Sequence, residues 1–283
     1  MLYFVQPSTR TFLSFQSACQ ILGMQCSEIR NPSISSEAKG ERVEDAIRTF
    51  SSYVDIIIMR SPLPGLCSRM AQILDQSNRP VPIINAGSGP DEHPTQALLD
   101  LYTLHRDFKN CGGISGKTIC MVGDLKHGRT VRSLARMLVH FPNIHMIFSS
   151  PKNFAIKDDI RDYLSKQNHI TFSETEEFET LLPQCDALYM TRIQDEWHSP
   201  GESFDKERYH LKWHHLKQMK ENALILHPFP RREEIEVRVD QDPRAKYWEQ
   251  ERNGMWIRLA LISQILNVSD ELCDYYDKAI NES

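Results

Sequence analysis

The sequence predicts an α/β protein of two doubly wound parallel-sheet domains, and three observations carry that prediction. Short β-rich runs alternate with longer helical patterns along the chain, and such alternation builds parallel sheets with helices on both faces. A glycine-rich break, KNCGGISG at 109–116, holds three of the twelve glycines and divides the alternation in two. The length, 283 residues, suits one large domain or two of medium size and is long enough to bury real cores.

The first half opens with LYFV (2–5) as a strand. TFLSFQSACQILG follows, and its Phe12, Phe15, Cys19 and Leu22 share one helical face. VDIIIM (54–59) precedes the helical PGLCSRMAQIL, and VPIIN (81–85) precedes HPTQALLDLYTLHRDF. Beyond the break, KTICMV (117–122) leads into GRTVRSLARMLVHF. IHMIF (144–148), ALYM (187–190) and ALILH (223–227) are further strands with helical segments between them. MWIRLALISQIL (255–266) is the last apolar helix, followed by a charged tail.

Composition narrows the function. The chain is 40% hydrophobic and 25% charged, which argues against a disordered protein. A net charge of -5 implies no broad basic surface for nucleic acid. No apolar run approaches the ~20 residues of a membrane span, and MLYFVQPSTR lacks the marks of a secretion signal. Seven scattered cysteines, odd in number and without a CxxC, fit reduced thiols in the cytoplasm.

In parallel α/β sheets ligands bind where strand carboxyl ends run into helices, which directs attention to five loops. In QPSTRT, Ser8, Thr9, Arg10 and Thr11 stand at a helix start, where unpaired N–H groups and a guanidinium fork suit an anion; a plain Ser/Thr cap with a surface arginine is the alternative. Arg60 ends the buried run VDIIIM, pointing into a crevice or pairing at the rim. In NAGSGPDEHPTQ, His93 can donate to a carbonyl oxygen and Gln96 can read an amide, unless the histidine only caps a loop. GDLKHGRT (123–130) nearly fits the phosphate-binding pattern GxxxxGK[ST], but Arg129 replaces the lysine. That weakens a nucleotide-hydrolase reading and suits a carboxylate. YMTRIQ puts Arg192 and Gln194 on one face of an extended segment, and HPFPRREE has two stiffening prolines. His210 and His214 lie four apart in YHLKWHHLKQMK, but no third ligand is near and lysines crowd the segment, so a solvated surface helix is expected and no metal.

Taken together, PSTRT, KGE (39–41), MR-P (59–62), NAG-G and HPTQALLD, MVGDLKHGRTV, YMTRIQ, HPFPR with EI, and the Asn253–Gly254 pair with its arginine-bearing helix resemble the aspartate carbamoyltransferases, in order, from near residue 3 to about 268. The resemblance implies an active site in the cleft between the two domains. It divides the chain into a carbamoyl phosphate-binding domain, 1–108, and an aspartate-binding domain, 109–262, with 263–283 packing back onto the first. It implies that Ser8, Thr9, Arg10 and Thr11 hold the phosphate, and that Arg60, His93 and Gln96 hold the carbamoyl end. Thr11, Arg60 and His93 would polarise its carbonyl oxygen. Arg129, Arg192 and Gln194 look like the aspartate set, with Phe229 and Pro230 touching substrates through their backbone. Ser35 and Lys39 fall on a loop that in the family reaches a neighbouring subunit, which implies a homotrimer. No cofactor is implied. The substrates would be carbamoyl phosphate and L-aspartate, in pyrimidine biosynthesis. The ornithine-specific relatives lack the TRIQ arginine and carry a cysteine where HPFPR keeps a proline.

Some positions depart from the family pattern: Gln6 for glutamate, Trp197 for arginine, Phe12 for arginine and Asp195 for lysine. Met1 also stands close to the first strand, where relatives have an earlier helix packing on the last ones, so part of the apolar face of 255–266 is expected to be exposed. These departures leave a second reading, an impaired homologue that binds ligand or serves as a partner subunit.

Overall fold

The computed structural model describes residues 1–31, 40–89, 92–192 and 206–274. The chain forms two compact units, Met1–Thr95 with Gly254–Ser283, and Gln96–Asn253. The divisions fall inside two helices, Pro94–Phe108 and Tyr247–Ile265.

The first unit holds β1 (Leu2–Phe4), α1 (Thr9–Ile21), β2 (Glu28–Ile29), α2 (Val43–Ser51), β3 (Ile57–Ser61), α3 (Leu66–Asp75) and β4 (Ile83–Ser88). Its sheet runs β2-β1-β3-β4, with every pairing parallel. Alternation along the strands feeds two cores. Leu2, Phe4, Ile58 and Ile84 pack with Phe12, Phe15 and Ile262. Tyr3, Ile57 and Met59 pack with Ile47, Met70 and Leu74. Successive strand residues face opposite sides, so an unbroken apolar run such as Ile56–Met59 marks a strand covered on both.

The second unit follows most of α4 (Pro94–Phe108) with β5 (Thr118–Val122), α5 (Arg129–Leu138), β6 (His145–Ser149), α6 (Asp158–Ser165), β7 (Thr171–Thr175), α7 (Phe178–Leu181), β8 (Ala187–Met190), β9 (Leu224–Leu226) and the first residues of α8 (Tyr247–Ile265), whose remainder belongs to the first unit. Its parallel sheet is ordered β7-β6-β5-β8-β9. Ile119, Met121 and Tyr189 face one core with Val131, Leu134 and Leu138, and Cys120, Val122 and Leu188 face the other with Phe178 and Leu182. Both sheets reverse their strand order once, between β1 and β3 and between β5 and β8, and crevices for ligands open at such switch points.

The structure adds to and corrects the sequence reading. Strands β2 and β7 carry no apolar run: Glu28 and most of TFSET are exposed because these are edge strands with half-solvated faces. Residues 206–219 are not one surface helix. They form two short 3₁₀ turns, Lys206–Tyr209 and Trp213–Gln218, because Leu211 is drawn into a parallel bridge with Ile235. Tyr209, Leu211, Leu216 and Met219 are buried, and His210 and His214 share no helical face. The cysteines are not all reduced: Cys120 and Cys185 form a disulfide, brought together by the β5–β8 pairing from 65 residues apart. Phe12, read as a departure, is a core residue, edge-on to Phe4 at 5.3 Å with Arg30 over its ring at 4.3 Å. Along 255–266, Ile262 is buried, Leu259, Leu261, Ile265 and Leu266 are partly exposed, and Trp256 is 42% exposed. No helix among the described residues is long and apolar enough to cross a membrane.

Candidate active site

In the first unit, Ser8 caps α1 with extended backbone (φ -166°, ψ 102°), yet its hydroxyl makes no capping hydrogen bond. No acidic residue sits in the first turn. The helix start therefore keeps its positive end and its N–H donors, with exposed Thr9 and Arg10 beside it. Thr11, the third residue of α1, is buried.

Thr11, Arg60 and His93 come from α1, β3 and the loop after β4, and all three are buried. His93 Nε2 is 3.4 Å from Thr11 Oγ1 and 3.3 Å from Arg60 Nη1, which also donates to the Ala86 carbonyl at 3.0 Å. Three polar groups thus meet at one point in surroundings that strengthen electrostatic interactions. A guanidinium keeps its protons, so this point favours a ligand oxygen carrying partial negative charge.

Space for the Arg60 head is made by Gly87, at φ +131°. A Cβ there would lie 2.7 Å from Arg60 Nη1. Gly87→Ala therefore combines a backbone conformation that disfavours L side chains with a displaced guanidinium. It is expected to destabilise the protein by ~1–3 kcal/mol in a denaturant melt.

In the second unit, the loops after adjacent strands β5 and β8 carry Arg129 and Arg192. Arg129 is the first residue of α5, and burial pushes its guanidinium's pKa down. The two loops touch through Gly123, at φ +116°: a Cβ there would lie 2.1 Å from the Thr191 carbonyl oxygen, so only glycine permits the approach. Thr191 N and Oγ1 both donate to the Val122 carbonyl, at 2.8 and 2.9 Å. Buried Asp124 accepts from His127 N at 3.0 Å and contacts its ring Nδ1 at 3.0 Å, which fixes the loop before Arg129.

After β9, His227 lies buried in HPFP. Phe229 N donates to His227 Nδ1 at 2.8 Å, so the ring proton is on Nε2 and is given to Glu234 Oε1 at 2.7 Å. Burial alone would raise the Glu234 pKa, but His227 and backbone donors outweigh it and hold the carboxyl below its ordinary value. Phe229 is thereby held at φ +50°, unusual for a bulky residue, with the Trp248 ring tilted against it at 4.9 Å between centroids. Pro230 beside it is exposed.

A buried carboxyl that sequence reading passed over links these parts. Asp100 is fully buried in α4. Its Oδ1 accepts from Gln96 Nε2 at 2.9 Å and Gln250 Nε2 at 2.6 Å, and its Oδ2 accepts from the Tyr189 hydroxyl at 2.8 Å. Gln250 Oε1 accepts from His227 N at 2.8 Å. The i, i+4 spacing of Gln96 and Asp100 was the available signal; Gln250, 150 residues away, left none. Burial pushes the Asp100 pKa up to about 7, against the opposing pull of Gln250, Tyr189 and Gln96. A raised carboxyl pKa favours the folded state below the unfolded value and loses that advantage as pH rises through 7. Asp100→Asn is therefore expected to gain thermal stability relative to the parent between pH 4 and pH 8, by at most ~4 kcal/mol; melting curves across pH check this.

Ser35, Lys39 and Gln194, like Asp195 and Trp197, lie outside the described residues. The first unit brings together Thr11, Arg60 and His93, with Ser8, Thr9 and Arg10 immediately before Thr11 at the start of α1. The second holds Gln96 in the Asp100 network and Arg129, Arg192, Phe229 and Pro230 in strand-end loops.

Both units are parallel α/β sheets with basic residues in or beside the loops at their carboxyl ends, where ligands bind in this class of fold. Residues 1–106 match the carbamoyl-P binding domain of aspartate/ornithine carbamoyltransferases, and residues 115–265 match their Asp/Orn binding domain. The chain belongs to the aspartate/ornithine carbamoyltransferase family. It is 43% identical to the chloroplastic aspartate carbamoyltransferase of Arabidopsis thaliana over 93% of its own length and 66% of that protein's. The catalytic subunit of M. jannaschii aspartate transcarbamoylase has a similar structure, with a TM-score of 0.84 and 40% identity, covering 95% of this chain and 85% of that one. So does aspartate transcarbamoylase from Trypanosoma cruzi in complex with carbamoyl aspartate and phosphate, with a TM-score of 0.81 and 33% identity, covering 92% of this chain and 80% of that one.

Proposed function

We propose that this protein transfers the carbamoyl group of carbamoyl phosphate to the amine of L-aspartate, giving N-carbamoyl-L-aspartate and phosphate, a step of pyrimidine biosynthesis. The meeting of Thr11, Arg60 and His93 at one buried point supports this reading most strongly. The neutral amine attacks the carbamoyl carbon, the carbonyl oxygen gains charge, and the C–O bond to phosphate breaks. The three side chains polarise that oxygen. Ser8, Thr9, Arg10 and the start of α1 hold the phosphate. Gln96 accepts from the carbamoyl NH₂. Arg129, Arg192 and Gln194 hold the aspartate carboxylates, and the loop at Phe229 and Pro230 lines the site with backbone groups. The departing phosphate takes the amine's proton, so the reaction calls for no protein nucleophile. Positioning and fixed donors carry the rate.

Arg192 directs the choice of aspartate over ornithine, whose side chain ends in a cation. Ser35 and Lys39 act in a neighbouring subunit's site, which makes the working form a homotrimer. The test is to incubate the protein with carbamoyl phosphate and either amino acid. Carbamoyl aspartate is the expected product; citrulline, or no carbamoylated product, would overturn the assignment.

A further inference from the structure

We propose that Asp100 is a positioning residue for carbamoyl recognition: its Oδ1 turns the Gln96 side chain so that the amide oxygen, not the nitrogen, faces the carbamoyl NH₂. The inference rests on the role given above to Gln96. A glutamine amide has a donor end and an acceptor end of almost the same shape, and only its partners decide which end points where. A carboxyl oxygen 2.9 Å away decides it here, because the flipped amide would set oxygen against oxygen beside a fully buried carboxyl. Gln96 is itself 5% exposed, and with its Nε2 given to Asp100 the other end of the amide, Oε1, is the end turned away from the carboxyl. The carbamoyl NH₂ is a pure donor and needs such an acceptor.

Asp100 is in turn over-determined. Gln250 shares Oδ1, and the Tyr189 hydroxyl holds Oδ2 while also meeting the Thr130 side chain. Gln250 continues to His227 N, at the head of the Phe229 loop. Thr130 follows Arg129, and Tyr189 lies three residues before Arg192. One buried carboxyl therefore sets the orientation of Gln96 and ties it to the loops assigned to aspartate. The requirement is an acceptor at Oδ1 rather than a negative charge. An asparagine can keep its oxygen toward the two glutamines and turn its NH₂ to the Tyr189 oxygen, whereas an alanine can do neither.

Acetyl phosphate tests this, since it replaces the carbamoyl NH₂ with a methyl group and leaves the phosphate unchanged. Binding of carbamoyl phosphate, acetyl phosphate and inorganic phosphate is measured on the full-length parent, Asp100→Ala and Asp100→Asn. The parent is expected to prefer carbamoyl over acetyl phosphate about tenfold or more, from one well-placed hydrogen bond. Asp100→Ala loses that preference with inorganic phosphate affinity unchanged, and Asp100→Asn keeps it. An alanine variant that keeps the preference, or weakens all three ligands alike, overturns the proposal. A parent with no preference overturns the Gln96 assignment itself, and this proposal with it. Should the alanine variant not fold, NMR on the parent decides. The Gln96 side-chain amide protons, identified by their loss in Gln96→Ala, are expected to exchange slowly with solvent; exchange as fast as an exposed glutamine's overturns the proposal.

Discussion

Arg60→Ala lowers kcat by about a hundred- to a thousandfold, the usual cost of removing one donor to a developing oxyanion. On the proposed reading, three features make a large loss the expected one. It is buried, so its charge is weakly screened. It is braced on the Ala86 carbonyl and against His93, so it does not have to reorganise as charge develops. It stands at the end of β3, where the rigid sheet fixes its stem. Arg60→Lys is expected to recover little, because an ammonium cannot make the guanidinium's divergent contacts. Steady-state rates with saturating carbamoyl phosphate measure the effect. A loss under tenfold would mean that Arg60 serves the fold and not the carbonyl oxygen.

Arg129→Ala separates the two ligands. It raises the KM for aspartate by about a hundredfold and changes the affinity for phosphate only a fewfold, as expected when a charge-assisted pair to one ligand is removed. Burial already disfavours the Arg129 charge, and a carboxylate is the natural compensation for a partly desolvated cation. The position at the start of α5 adds the helix's positive end to the same anion. Equal losses for aspartate and phosphate would contradict the division of roles between the two units.

The sheets were legible because their central strands are covered on both faces. Runs such as VDIIIM and KTICMV have no solvated side to interrupt them, and β3 and β5 lie within them. The edges were not: β7, TFSET, is polar because half of it meets water, and only its register with β6 makes it a strand. The loops that supply Thr11, Arg60 and His93 could be named one by one from strand-to-helix junctions, but their 3.3 and 3.4 Å contacts belong to the folded sheet order. Nothing in the sequence distinguishes Gly87 and Gly123 from other glycines until the neighbours that forbid a Cβ are in place. The Asp100–Gln250 link and the Cys120–Cys185 disulfide are long-range, and no spacing rule marks them. Conversely, the histidines of 210–215 suggested a helix that Leu211 prevents by pairing with Ile235.

The central claim is that basic groups of two α/β units grip the two acidic halves of one reaction. A crystal structure of the protein with carbamoyl aspartate and phosphate bound tests it most directly. The account predicts phosphate on the Ser8–Thr11 helix start, the carbamoyl oxygen within hydrogen-bond distance of Thr11, Arg60 and His93, and the carboxylates on Arg129 and Arg192. Phosphate held at the Gly123–Thr130 loop, or carboxylates bound without either arginine, would contradict it.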